Sequence, residues 1–277
     1  MKNEITTTQL GDIPETMLIT LWARATESKR ADALIRDEKA IEMMERVDYD
    51  FSKFEGAKMS QVGVCIRAKL MDEQTKTFLN QYPDAVVIQL GAGLDTRYNR
   101  LKTASFTHWY DLDLSEVISI RKQLLTEDER NTFLPLSLFD YRWVDKVLLH
   151  HKPILIIIEG VLMYFTPKEV QDFFNELCSH FEGVRTSVLF DMLFYKGVGR
   201  AKNHDSVKKT AGKAEFKWSL LNTKDMEQWN KNIHLQNEFY MSDYDNGRFP
   251  WISRMFYKIP YFYKNFNQRI VQLDLGR

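Results

Sequence analysis

VVIQLGAGLDTRYNRL, residues 86–101, decides the fold. Residues 85–90 form a short apolar run rich in β-branched side chains, bounded by Pro83-Asp84 and by glycine. Such a run reads as a strand covered on both faces. It stops at Gly91 and Gly93, one residue apart, and glycine is the residue that lets the backbone turn sharply and a ligand come close. Working outward, FTHWYDLDL (106–114), NTFLPLSLFD (131–140), PILIIIE (153–159) and RTSVLFDML (185–193) are further strands. SEVISIRKQLL, RWVDKVLLHH and TPKEVQDFFNELCSHF are the helices between them. In the last of these, Thr166 at the N-cap, Pro167 at N1 and Glu169 form a capping box. Strands alternating with helices predict an α/β fold with a doubly wound, mostly parallel sheet.

The flanks add to this frame. Residues 14–46 predict two helices, the first opened by Pro14, and residues 56–81 a third, long one. Arg67 stands in that helix among Val64, Cys65, Ile66 and Leu70. Residues 196–222 are rich in Lys, Gly and Ala and read as a surface loop or a lid over a substrate. TKDMEQWNKN is expected to be a helix, and QRIVQLDLG a final edge strand. No linker separates two domains, so residues 1–277 are expected to form one. It comprises a helical cap (1–82), a cofactor-binding core (83–195), and a lid and acceptor region with the last strands (196–277).

Composition narrows the partners. Lys+Arg and Asp+Glu are both 38, so there is no basic excess of the kind a nucleic-acid binder shows. The longest apolar segment, ILIIIEGVLMYF, is interrupted by Glu159 and too short to span a bilayer, and residues 1–15 lack a signal-peptide core. Cys65 and Cys178 have no metal spacing and suit a reducing cytoplasm. A cytoplasmic protein with no nucleic-acid, membrane or metal partner is therefore expected. The aromatic tail around Phe249, Trp251, Phe256 and Tyr261 reads as core, a flat pocket, or a subunit contact that would make a homodimer.

The ligand follows from the residues after the glycines. A dinucleotide site wants a third glycine, but that position is Thr96, and Asp95 puts negative charge where phosphate would lie. No phosphate loop of the G-x-x-x-x-G-K-[ST] type is present. Asp113 lies 22 residues after Gly91 (113 minus 91), at the end of the second strand, where a carboxylate accepts ribose hydroxyls. The competing role for Asp113 is a helix N-cap. Asp140, after the third strand, is placed to meet an adenine amino group or to cap a helix. Glu159 ends a wholly apolar strand, where burial is costly without a partner. Acids and glycines at four strand ends suit a nucleoside with a cationic group and no phosphate, which describes S-adenosyl-L-methionine.

At these blocks the chain resembles the leucine carboxyl methyltransferase family, with its bacterial polyketide-type O-methyltransferases. The resemblance lies in VVIQLGAGLDTRYNRL, WYDLDLSEVISIRKQLL and ILIIIEGVLMYFTPKEVQDFF, with ARATESKRADALIRDEKA and VCIRAKLMDE before them, and covers residues 17–195. It implies a Rossmann-like, seven-stranded methyltransferase fold with added N-terminal helices and a substrate-covering insertion. It also implies S-adenosyl-L-methionine as cofactor. Gly91 and Gly93 would run past the cofactor's methionine part, Asp113 would hold the ribose, and Asp140 with Tyr141 would meet the adenine. Glu159 would lie near the cofactor's amino group, and Tyr164 would close over the site. Arg67 would bind a carboxylate of cofactor or acceptor, and Lys29 or, better matched, Arg30 would add a second cation. The implied reaction is O-methylation of the carboxylate of a small acid. Arg67 would be the clamp, and its removal is expected to leave the fold intact. The alternatives are a phenol or alcohol acceptor, which would need a base such as His204 or His234, an NAD-linked oxidoreductase, and a cofactor binder without turnover.

Overall fold

The computed structural model describes residues 5–6, 15–200 and 215–276. Seven strands form one sheet: β1 (Val86–Leu90), β2 (His108–Asp113), β3 (Asn131–Pro135), β4 (Ile154–Ile158), β5 (Thr186–Met192), β6 (Ile233–Tyr240) and β7 (Arg269–Leu275). Their spatial order is β3-β2-β1-β4-β5-β7-β6. β7 is antiparallel to both of its neighbours, and the other pairs are parallel.

The central strands are apolar all along because both faces are covered. Val86, Ile88, Ile154 and Ile156 face Trp143 and Phe173, while Val87, Leu155 and Ile157 face Ile66, Leu70 and Phe78. The first face is covered by α6 (Arg142–Leu148) and α7 (Pro167–His180), whose capping box is formed as the sequence predicts. The second is covered by α3 (Lys58–Gln81) and α4 (Arg97–Leu101). α1 (Glu15–Ser28) and α2 (Glu38–Met44) form a third cluster with α5 (Ser115–Leu124). Both cysteines are buried and free, and burial pushes the Cys65 thiol up to about 12.

Two expectations need correction, and one strand goes beyond them. The C-terminal strand is not an edge: β7 sits between β5 and β6. The edge is β6, which the sequence reading did not find. Most of its residues are half or fully exposed and it carries a register shift between Leu235 and Asn237, so it shows no clean alternation. TKDMEQWNKN forms a 3-10 turn over Thr223–Gln228 rather than an α-helix. Of the segment read as a lid, residues 201–214 lie outside the described residues, as does Pro14.

Pairing in register places the site. Leu90 lies opposite both Leu112 and Ile158, so the chain leaves β1, β2 and β4 at one level. Because β1 leads to β2 on one side and its other neighbour is β4, the turns diverge there and leave a crevice.

Candidate active site

The crevice opens into a cavity of about 860 Å³. Gly91 and Gly93 line it with left-handed backbone, φ +69° and +49°. A Cβ on Gly91 would stand 2.4 Å from Val161 Cγ2, on the chain leaving β4. Gly91→Ala is therefore expected to cost about 1–2 kcal/mol in backbone strain plus the clash. Adding Val161→Ala, which removes the clashing methyl, should return the second part only. Chemical denaturation of the single and double variants checks this, and wild-type stability in Gly91→Ala would mean the turn does not need glycine.

Asp113, the last residue of β2, is pinned rather than capping. Its carboxylate accepts the Gly93 N–H at 2.7 Å and the Leu114 N–H at 2.8 Å, while the N-cap of α5 is Leu114. Burial raises its pKa, against the pull of those two N–H donors. It lines the cavity beside Leu112 and Leu114.

Beneath the glycine turn lies a buried ion network. Arg67 Nε reaches Glu159 at 2.9 Å and its Nη1 reaches Asp191 at 3.1 Å. Arg97, fully buried, contacts Asp72 at 2.7 Å and Glu159 at 2.5 Å. Its Nη1 lies 2.8 Å from Asp95 without hydrogen-bond geometry. Arg100 joins Asp72, Asp37 and Asp95, and Arg24 joins Asp37 and the Leu94 carbonyl. Thr96 Oγ1 also bonds Asp37, the N-cap residue of α2. Four arginines thus face five carboxylates (Asp37, Asp72, Asp95, Glu159, Asp191), a formal excess of one negative charge. Burial alone would favour the neutral acids. Arg97, Arg100 and Arg24 nonetheless hold Asp95 well below the usual range, and Arg67 and Arg97 hold Glu159 below it.

This changes the role of the D-T-R stretch. From the sequence, Asp95 is expected to put its charge where a phosphate would lie. It is instead neutralised by arginines and, with Thr96 and Arg97, ties α1, α2, α3 and α4 to the end of β4. Arg67 is likewise more than a free clamp, since its loss takes the arginine from Asp191 and one of two arginines from Glu159. The expectation that Arg67→Ala leaves the fold intact is replaced by a cost of about 3–5 kcal/mol, the usual penalty for breaking a buried pair.

Of the residues singled out from sequence, Arg67, Gly91, Gly93, Asp113, Glu159 and Tyr164 come together on this cavity. Arg30, Asp140 and Tyr141 do not. Arg30 is 48% exposed and pairs with Asp32, and its neighbour Lys29 is exposed too. The cation that α1 does present is Arg24, which lines the cavity. An arginine among buried apolar neighbours was the signal that singled out Arg67, and Arg24 carries it as well, between Ala23 and Ala25. Asp140 accepts from Arg142 Nε at 2.8 Å and from its backbone N–H at 3.3 Å, at the start of α6. Tyr141 packs against His180 on α7, ring centroids 5.0 Å apart. The cavity wall below them is Ser137, Leu138 and Phe139. His234 is on β6, away from the cavity lining, and His204 lies outside the described residues.

The sequence profile of the leucine carboxyl methyltransferase family matches residues 17–178 of the 277. The chain belongs to the leucine carboxyl methyltransferase family. It is 30% identical over 237 residues to the tetracenomycin polyketide synthesis O-methyltransferase TcmP of Streptomyces glaucescens, covering 86% of each chain. It is also 30% identical over 193 residues to the S-adenosyl-L-methionine-dependent methyltransferase dpfgK of Gibberella zeae, covering 64% of this chain and 65% of that one. Among solved structures, a Thermobifida fusca protein provisionally assigned as a methyltransferase has the same fold. Its TM-score is 0.57 at 12% identity, over 92% of this chain and 94% of that one. A DUF574 family protein of Streptomyces avermitilis matches at TM-score 0.54 and 9% identity, over 92% and 97%.

As a member of this family the protein is an S-adenosyl-L-methionine-dependent methyltransferase. The residues present fit that cofactor. The glycine turn leaves a cradle that a Cβ would fill. The network under it carries excess negative charge, which suits a sulfonium and an ammonium. The Asp113 carboxylate faces the cavity with only two backbone donors on it, leaving lone pairs for a sugar. Among the described residues no cluster of His, Cys, Asp and Glu could hold a metal, and no helix is long and apolar enough to cross a membrane.

Proposed function

We propose that this protein transfers a methyl group to a carboxylate oxygen of a small, largely apolar acid. The observation that carries this is the state of the ionisable groups on the cavity wall. Asp95 and Glu159 are locked in ion pairs. Burial pushes the Tyr164 phenol up, so it stays protonated and donates rather than accepts a proton. No histidine among the described residues lines the cavity. A phenol or alcohol acceptor would need a base; a carboxylate, ionised near neutral pH, needs none. An oxygen acceptor is also in keeping with TcmP, which is named an O-methyltransferase.

The cofactor supplies an electrophilic methyl group on a positive sulfur. The protein's task is then placement, which can be worth about 7–11 kcal/mol in ideal cases. Gly91 and Gly93 would carry the methionine part, Asp113 the ribose hydroxyls, and Leu114, Leu138 and Phe139 the flat faces of the purine. Arg67 has two of its nitrogens on Glu159 and Asp191, while Nη2 has no hydrogen-bond partner among the described residues. With Tyr164 on the same wall, Nη2 is the donor that would hold a carboxylate. Leu193, Phe194, Phe216 and Phe249 make the rest of that wall apolar and exclude water.

Turnover with methyl-labelled cofactor and a panel of aliphatic and aromatic acids and phenols tests the proposal. A methyl ester releases its label as methanol in mild alkali, whereas a methyl ether does not. Label confined to alkali-stable ethers would refute carboxyl transfer. Arg67→Lys keeps the buried charge but loses the planar fork. It is expected to lower kcat/KM for acids about 100-fold and to change adenosylhomocysteine affinity less than about tenfold. Unchanged kcat/KM would remove Arg67 from the acceptor.

A further inference from the structure

α8 (Trp251–Phe256) and α9 (Pro260–Phe266) follow the last turn of the cavity wall. They expose an apolar surface that nothing above uses. Trp251 is 67% exposed, Met255 57%, Tyr261 56%, Ile252 49%, and Phe256 and Ile259 47% each. Six large apolar side chains so exposed within eleven residues mark a contact surface rather than scattered exposure. The surface is knit together: Phe256 lies 4.9 Å from Phe262, which in turn contacts Tyr261 and Phe266.

Charge tells what covers it. Residues 246–268 hold no Asp or Glu, in a chain whose acids and bases balance at 38 each. Arg254, Lys258 and Lys264 are exposed and in no ion pair among the described residues. A second copy of this chain would set these cations against their own kind across a twofold axis. A bilayer with anionic headgroups offers hydrocarbon to the apolar side chains and negative charge to the cations. Trp and Tyr beside Lys and Arg is the composition of segments that lie in that interface. Helices of 6 and 7 residues are far too short to cross it.

We propose that α8 and α9 seat the protein reversibly on an anionic lipid surface. Phe249, Tyr257 and Phe266, from the same segment, line the cavity, so the seated protein turns the cavity wall toward the lipid. The inference concerns a surface outside the cavity and stands whether or not the acceptor is a carboxylate.

Co-sedimentation of the full chain with sucrose-loaded vesicles tests it. Binding to vesicles containing phosphatidylglycerol is expected to exceed binding to pure phosphatidylcholine at least about tenfold and to weaken with salt. Each surface cation contributes about fivefold. Arg254→Gln with Lys258→Gln and Lys264→Gln should therefore lose on the order of 100-fold. Trp251→Ser with Ile252→Ser, Met255→Ser and Phe256→Ser should lose binding while keeping the wild-type melt. Equal sedimentation with and without vesicles would overturn the proposal, as would serine and glutamine variants that bind like wild type. So would a wild-type dimer, by analytical ultracentrifugation, that the serine variant turns into a monomer without any vesicle binding.

Discussion

Asp113→Ala is expected to weaken S-adenosyl-L-methionine binding at least about 100-fold by isothermal titration. A hydrogen bond to a charged group is worth about 1.5–3 kcal/mol net, and two ribose hydroxyls would be lost together. The side chain also holds the Gly93 N–H at 2.7 Å, so the glycine turn loosens as well. Asp113→Asn should fall between, since its amide oxygen can still accept from Gly93. Acid gives an independent check. Burial raises the Asp113 pKa. The ionised form is the acceptor, so affinity is full above that raised value and lost as pH falls through it, sooner than for an ordinary carboxylate near 3.9. That acid arm should vanish in Asp113→Ala. Affinity within threefold of wild type in the alanine variant would place the ribose elsewhere.

Arg97→Ala is expected to destabilise the fold by about 3–5 kcal/mol, because it takes one of two arginines from Asp72 and from Glu159 and one of three from Asp95 while all three acids stay buried. Arg97 is fully buried and touches Asp72, Asp95 and Glu159, which come from α3, the glycine turn and the end of β4. The melting temperature should fall by roughly 10 °C or more. Combining the change with Asp95→Asn removes one surplus negative charge and should recover part of the loss, since neighbours in one network are not additive. An Arg97→Ala protein that melts within about 2 °C of wild type would show that the network does not hold these elements together. Cofactor affinity should fall too, because Glu159 and the turn at Gly91 share that support.

The two variants separate what local sequence carries from what folding adds. Residues 85–90 and 153–159 are apolar on both faces, and that pattern has one stable use, a covered parallel sheet. The turn at Gly91 and Gly93 and the acids at Asp113 and Glu159 are legible because a glycine pair or a carboxylate at a strand end breaks an otherwise apolar run. β6 was not legible, because an edge strand needs no hydrophobic alternation, and its presence moved β7 from the edge into the sheet. Partners were the other thing hidden. Asp95 carries the same charge in the sequence whether it faces a phosphate or three arginines, and only the packing of α1, α3 and α4 shows that it faces Arg24, Arg97 and Arg100. In the same way it is Arg24 on α1, and not Arg30 just beyond its end, that faces the cavity, and the turn before α6 presents Ser137 and Phe139 rather than Asp140. By itself the sequence determined the five parallel strands of the sheet, the position of the crevice and the absence of a phosphate loop, since these follow from hydrophobic pattern and backbone freedom along the chain. Tertiary structure alone decided which charges meet, because the ion pairs join residues as far apart as Arg67 and Asp191, and long-range pairing leaves no periodic mark in the sequence.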